Sequence, residues 1–189
     1  MKVIPFYSKL YNGYQDFSNF AYTPFEISSK SSPTGRLRFI SSEQFIMWSK
    51  AVLFKDFEVR DKILKETDPL AIKKLGRTVK NFKEDVWKGW DAAILKQALT
   101  LKFSQNEGLK KKLLETGDAI LAEANMFDKK YGAGLSGNDP KINDPAYWKG
   151  YNMMGNTLME VRSEFQAELN KHKIPYVKDI EAKSDFEME

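Results

Sequence analysis

A mainly α domain with a minor β contribution is the fold class this chain predicts, on three observations. From residue 41 onward, capped helical segments follow one another closely. The longest, from about Glu84 to Phe103, repeats apolar residues at spacings of three and four, the period of one buried helix face. Runs of β character are short and lie chiefly in the N-terminal third.

Taken in order, VIPFY and RLRFIS hold β-branched and aromatic residues, and SSKSSPTG between them reads as a surface hairpin or loop. Ser41 and Ser42 can cap a helix through about Phe54, with Glu43 in its first turn. Asp56 can cap a second, DFEVRDKILKE. Asp68-Pro69 opens a third with proline at the first helical position, and Gly76 is expected to close it as a C-cap. In the fourth, Val86, Trp90, Ile94, Ala98 and Leu101 form the expected buried face. NEGLKKKLLETG makes a fifth, closed by Gly117, and AILAEAN from Ala119 is a short strand or an extended approach to a site. Residues 126–150 show no periodicity; so long a stretch in a compact domain is a lid, a binding loop or a disordered insertion. The last helix carries Met154, Leu158, Val161, Phe165 and Leu169 on one face. Residues 1–174 form the single domain, and residues 175–189 a loose acidic tail.

The composition excludes more than it selects. Cysteine is absent, so disulfides, thiolate nucleophiles and Cys-based zinc sites are excluded together. One histidine, His172, rules out His-based metal clusters. Chemistry must therefore come from carboxylates, lysine, arginine, tyrosine, hydroxyls and amides. The charge of +4 suits an anionic substrate such as a nucleotide, and equally a soluble lysine-rich surface. No apolar run is long enough to span a membrane, and MKVIPFYSKL lacks the layout of a signal peptide, so a cytoplasmic location is expected.

Several constellations could carry chemistry. Glu43 and Lys50 lie seven residues apart on the first helix, hence on one face and about 10 Å apart along it. They either flank a substrate between them or reach outward to water. DFSNF, Asp16 to Phe20, sets Ser18 and Asn19 between Phe17 and Phe20. Asn19 orients a ribose hydroxyl or phosphate there, or makes an Asx turn pinned by two core rings. Arg77 either grips a phosphate or offsets a helix dipole. Asp128 and Tyr131-Gly132 open the long loop, and Gly150, Asn152 and Gly155 end it. GAGLSG is neither a Walker nor a Rossmann loop, since it lacks the GK[ST] ending and the strand-to-helix setting.

In this order the pieces resemble the NADAR (YbiA-like) family: Phe6-Tyr7, DFSNF, SSEQF with Lys50, LGR ending at Arg77, Trp87, ALTLKF, LLETGDAILAEA, Asp128 with Tyr131-Gly132, and GYNMMGNTLMEVR. The resemblance covers about residues 4–166. It implies a compact helical fold and N-glycosidase activity, with no cofactor and no metal. Two substrates are implied: ADP-ribosylated guanine in DNA or RNA, as a counterpart of an ADP-ribosyltransferase, or phosphorylated ribosyl-pyrimidine intermediates of riboflavin synthesis. The family positions carried over are Asn19, Glu43, Lys50, Gly76, Arg77, Trp87, Glu123, Asp128, Gly132, Asn152 and Gly155, with Glu43, Lys50 and Asp128 expected to be catalytic.

Three departures stand out. Tyr131-Gly132 replaces the usual Trp-Gly, Ser42-Glu43-Gln44 replaces SEH, and the loop from Ala133 to Lys149 is longer than in compact bacterial members. Two readings from other classes compete. One is a non-catalytic module that binds ADP-ribose or NAD; the other is a nucleic-acid-binding domain using the basic excess. Acidic residues spread along every helix work against a continuous basic stripe for the latter.

Overall fold

A computed structural model describes residues 2–30 and 32–171. The expected tail at 175–189, the domain end at 174 and His172 lie outside the described residues.

The chain enters as strand β1 (Val3–Phe6) and passes a 3-10 turn at Gln15–Phe17. It then forms an antiparallel pair, β2 (Phe25–Ser28) and β3 (Arg36–Phe39), with Phe25 opposite Phe39. The loop read as SSKSSPTG thus joins β2 to β3, not VIPFY to RLRFIS. β1 pairs instead with β4 (Ile120–Glu123), in parallel, with Phe6 opposite Glu123.

Among the described residues, six helices follow β3: α1 (Ser42–Leu53), α2 (Phe57–Lys65), α3 (Pro69–Arg77), α4 (Glu84–Ser104), α5 (Glu107–Glu115) and, after β4, α6 (Met153–Lys171). The expected caps are in place. Ser41 accepts from the Gln44 N–H, Asp56 from Val59, and Asp68 from Leu70 and Ala71. Each satisfies an amide that the helix itself leaves unpaired. Gln44, which stands where the family favours histidine, serves the scaffold. Its Oε1 accepts from the Ile40 N–H, and its Nε2 donates to the carbonyls of Ile63 and Glu66, tying α1 to the end of α2.

Three expectations need correction. Gly76 does not end α3, which runs on to Arg77 with Thr78 as its C-cap. Gly76 is buried where α3 crosses α1, and a Cβ there would overlap the Met47 thioether. Its smallness allows that close approach, which sequence cannot distinguish from a glycine that stops a helix. The buried face of α4 is also shifted. Val86 and Trp90 are exposed, and the inner stripe is Asp91, Ile94, Leu95, Ala98, Leu99, Lys102 and Phe103. A count of apolar residues passes over a carboxylate and an amine that occupy core positions. Third, Leu169 is exposed, although Met154, Leu158, Val161 and Phe165 are buried as expected.

The core joins α4 and α6 to α1 and both strand pairs, with Phe17 edge-on to Phe6 and Phe103. Residues 126–150 are folded. They contain 3-10 turns at Pro140–Asn143 and Pro145–Tyr147 and bury Ala133, Leu135 and Ile142 against Ala122 and Ala124. Trp148 Nε1 closes this small cluster by donating to the Ile142 carbonyl at 2.9 Å.

At the start of α6, Asn152 adopts a positive φ of 51° and clamps β4. Its Oδ1 accepts from the Glu123 N–H and its Nδ2 donates to the Leu121 carbonyl. A Cβ on Gly155 would overlap that same carbonyl. We expect Gly155→Ala to cost about 3 kcal/mol in a urea unfolding curve, the upper range for forced overpacking. A loss below about 0.5 kcal/mol, the scale of an ordinary surface change, would contradict the close approach.

Candidate active site

Three backbone segments meet at one cavity of about 520 Å³. The first turn of α1 brings Glu43, whose N–H donates to the Asn19 carbonyl at 3.0 Å and so docks the helix start on the DFSNF loop. The last residue of β4 brings Glu123. The turn after β4 brings Asp128, whose Oδ1 accepts from the Lys130 and Tyr131 amides at 3.0 and 2.8 Å. All three carboxyl groups line the cavity. Among the described residues they are not placed to share a metal ion.

Around the carboxyls stand Lys73, Arg77, Lys129 and Lys130, with the rings of Phe20, Phe127 and Tyr131. One space therefore offers acids, cations and flat apolar faces together. Lys73 lies 5.3 Å from the centre of the Phe20 ring, and Lys130 pairs with the buried carboxylate of Asp91. Asn19 is almost fully buried at the cavity wall, and its Oδ1 lacks a hydrogen-bond partner. A buried acceptor left unpaired is costly, and a substrate hydroxyl would relieve it.

Burial pushes the Glu43 carboxyl up to about 7; Lys73 and Arg77 pull it down, while Asp128 pushes it further up. Burial likewise raises Glu123 to about 8, helped by the negative charges of Asp128 and Glu43 and opposed by Lys73 and Lys102. Tyr131 is held well above the usual phenol range by burial and by the acids around it, so it is a neutral donor. Acids poised near neutrality can both give and take a proton, which is what a general acid–base pair needs.

These shifts also set a stability trend. A buried carboxyl raised in the folded state binds more protons there than in the unfolded chain. Its contribution is therefore full at low pH and is lost as pH rises through the folded value. With Glu43 moved from 4.5 to about 7, Glu43→Gln should unfold at higher urea than the parent protein at pH 8. The advantage should approach roughly 3 kcal/mol and fade towards pH 4.5. An advantage that stays constant across this range would contradict the raised carboxyl.

Of the sequence candidates, Asn19, Phe20, Glu43, Arg77, Glu123, Asp128 and Tyr131 line the cavity. Lys50 does not. Its Nζ donates to the Gly76 carbonyl at 2.8 Å and lies 4.1 Å from the centre of the Phe82 ring and 5.8 Å from that of Trp87. Burial and then the charge of Arg77, itself on the cavity wall, lower its pKa. Gly76 and Trp87 thus surround the Lys50 amine and do not reach the cavity. Phe17 and Ser18, within the DFSNF loop, are fully buried and do not line the cavity. Gly132, Asn152 and Gly155 are backbone spacers and clamps; a Cβ on Gly132 would sit 2.8 Å from the Asp128 carbonyl.

Sequence reasoning missed Lys73, Phe127, Lys129 and Lys130. Lys73 had a signal, since it precedes Arg77 by four residues on α3 and so shares its face. It also missed Lys102, which is fully buried and donates to the Ser18 carbonyl at 2.9 Å, fixing the loop that carries Asn19. Burial lowers this amine to about 7, against the pull of Asp16 and Glu123.

Comparison with known proteins places the chain. An N-glycosidase of Acanthamoeba polyphaga mimivirus is 40% identical over 129 residues, 68% of this chain and 75% of that protein. A riboflavin biosynthesis protein of Vibrio vulnificus is 27% identical over 137 residues, 72% of this chain but 34% of that protein. The NMR structure of Escherichia coli YbiA superposes with a TM-score of 0.69 at 28% identity, covering 93% of this chain and 90% of YbiA. The model of the NADAR domain matches residues 5–166, and the chain belongs to the NADAR domain family.

Proposed function

We propose that this protein is an N-glycosidase that cleaves the bond between ribose C1 and a nitrogen, and that its substrate is ADP-ribosylated guanine of DNA or RNA. The observation that carries the proposal is the meeting of Glu43 and Glu123, both held near neutrality, with Asp128 in one cavity whose other wall is cationic. Relatedness to a named N-glycosidase supports the reaction class. Lys73, Arg77, Lys129 and Lys130 suit a diphosphate, and the rings of Phe20, Phe127 and Tyr131 suit a base or a ribose. Such an enzyme would reverse the work of a DNA-modifying ADP-ribosyltransferase.

In the reaction we propose, the ribose attached to the exocyclic amine of guanine opens to an imine. The neutral amine of Lys50 adds to C1, guanine departs with its amine restored, and a Schiff base remains on the lysine. Water adds to that imine, the lysine amine is released, and ADP-ribose leaves as its aldehyde. Glu43 supplies the proton taken by the departing nitrogen and recovers one from water. The lowered pKa of Lys50 favours the nucleophilic form. Reaching C1 requires its flexible stem to leave the Gly76 carbonyl.

Incubation with an oligonucleotide carrying ADP-ribosylated guanine, with free ADP-ribose read by mass, tests the substrate. Release is expected. Binding without release would make the chain an ADP-ribose-binding module. Similarity to a protein named for riboflavin biosynthesis supports a second reading, in which this chain hydrolyses the phosphorylated ribosyl-pyrimidine that the family resemblance implies. Faster turnover of that compound in a parallel assay would reassign the substrate within the same chemistry.

A further inference from the structure

We propose that a second cleft, separated from the cavity by Asn125 and Phe127, is a nucleobase-binding subsite. Both residues line both spaces. The second space measures about 210 Å³, and Leu10, Ala124 and Met126 supply its apolar lining. Lys9, Ser136 and Asn138 add a cation and polar groups. This is below the roughly 300 Å³ at which pockets for drug-sized molecules begin, so it suits one ring system more than a whole nucleotide.

Phe127 is the second observation. Its side chain is 88% exposed on the ridge between the two spaces, while its N–H is fixed by Asn125 Oδ1 at 3.0 Å. A large ring held in water on an anchored backbone is a stacking platform, and stacking accepts any base because every base has a π-face. The folded segment 133–149 builds the opposite wall. There the Asn138 N–H donates to Ser136 Oγ, and Gly137 packs so tightly on Leu10 that a Cβ would lie 2.6 Å from it. The long loop, which sequence left open as a lid, a binding loop or a disordered insertion, thus forms part of a binding surface.

The inference rests on the cavity taking the ribose. From that ribose the substrate extends in two directions, through the diphosphate to adenosine and through guanine to the flanking nucleotides. Either arm ends in a flat nitrogen heterocycle able to reach across Phe127, and Lys9 and Lys129 lie beside the two spaces to meet phosphate charge.

The test is an NMR titration of the full chain with adenosine 5′-monophosphate and, separately, with an unmodified single-stranded tetranucleotide. The amides of Gly137 and Asn138 and the Met126 methyl group are followed. Saturable shifts at these positions are expected. Shifts with the mononucleotide alone assign the adenine arm, with the oligonucleotide alone a flanking base, and with both a site open to either. No shift at these residues with either probe overturns the proposal. Because this readout needs no turnover, its failure is separable from failure of the glycosidase reading. Met126→Ala combined with Asn138→Ala, which strips an apolar and a polar group from the cleft and keeps the Phe127 ring, should raise KM about tenfold, with kcat within about twofold. A rise in KM below about twofold would count against the subsite.

Discussion

Glu43→Ala is expected to lower turnover of the proposed ADP-ribosylated substrate about a hundredfold or more, with the far-UV spectrum kept. General acid–base groups contribute on the order of 10²–10⁴ in rate, and Glu43 is the acid that the start of α1 holds at the cavity wall. The loss should fall on kcat, since the proton moves only as the bond breaks. Glu43→Gln separates this role from a merely structural one. It keeps the shape and, by the argument above, gains stability above pH 7, so an inactive but more stable protein is the expected result. A Gln variant with near-parental rates would remove Glu43 from the reaction. In the parent protein, the pH profile of kcat/KM, which reports the free enzyme, should bend near 7 and 8, where Glu43 and Glu123 titrate together.

Lys50→Ala should reduce turnover by a similar or larger factor, about a hundredfold at least, and abolish any adduct trapped by borohydride during turnover. The amine already donates to the Gly76 carbonyl, so loss of activity alone would not separate a nucleophile from a strut between α1 and α3. Lys50→Arg supplies the distinction. It keeps a cation and a donor for the carbonyl, yet a guanidinium stays protonated and forms no Schiff base. Inactivity of both variants, with an adduct trapped only in the parent protein, is the expected pattern. Full turnover without a trapped adduct would transfer the attack on C1 to water, with a carboxylate as its base.

What sequence could show follows the range of each interaction. The caps at Ser41, Asp56 and Asp68 are legible because capping is settled within three residues. Gly76 is not, since a glycine that stops a helix and one that admits a neighbouring Met47 are written with the same letter. The face of α4 was misplaced because Asp91 and Lys102, the residues that break the apolar pattern, are inside. Each has a partner: Lys130 for one and the Ser18 carbonyl for the other. Glu43 was visible as a carboxylate on a helix that otherwise reads apolar. Nothing local marks Glu123; family resemblance named it, and only the pairing of β1 with β4 shows how it reaches Glu43. Phe127 and Lys130 escaped because they sit in a stretch without period, where position depends wholly on tertiary packing.

That pairing has a consequence for how the molecule comes into being. Val3 lies opposite Ile120 in a parallel ladder, so β1 waits for its mate until more than about a hundred further residues have been made. Pairings so distant along the chain raise contact order and slow folding. A polypeptide released before residue 120 would hold Glu43 facing no other acid. The acid cluster thus belongs to the completed strand pair, and a shorter chain would lack it.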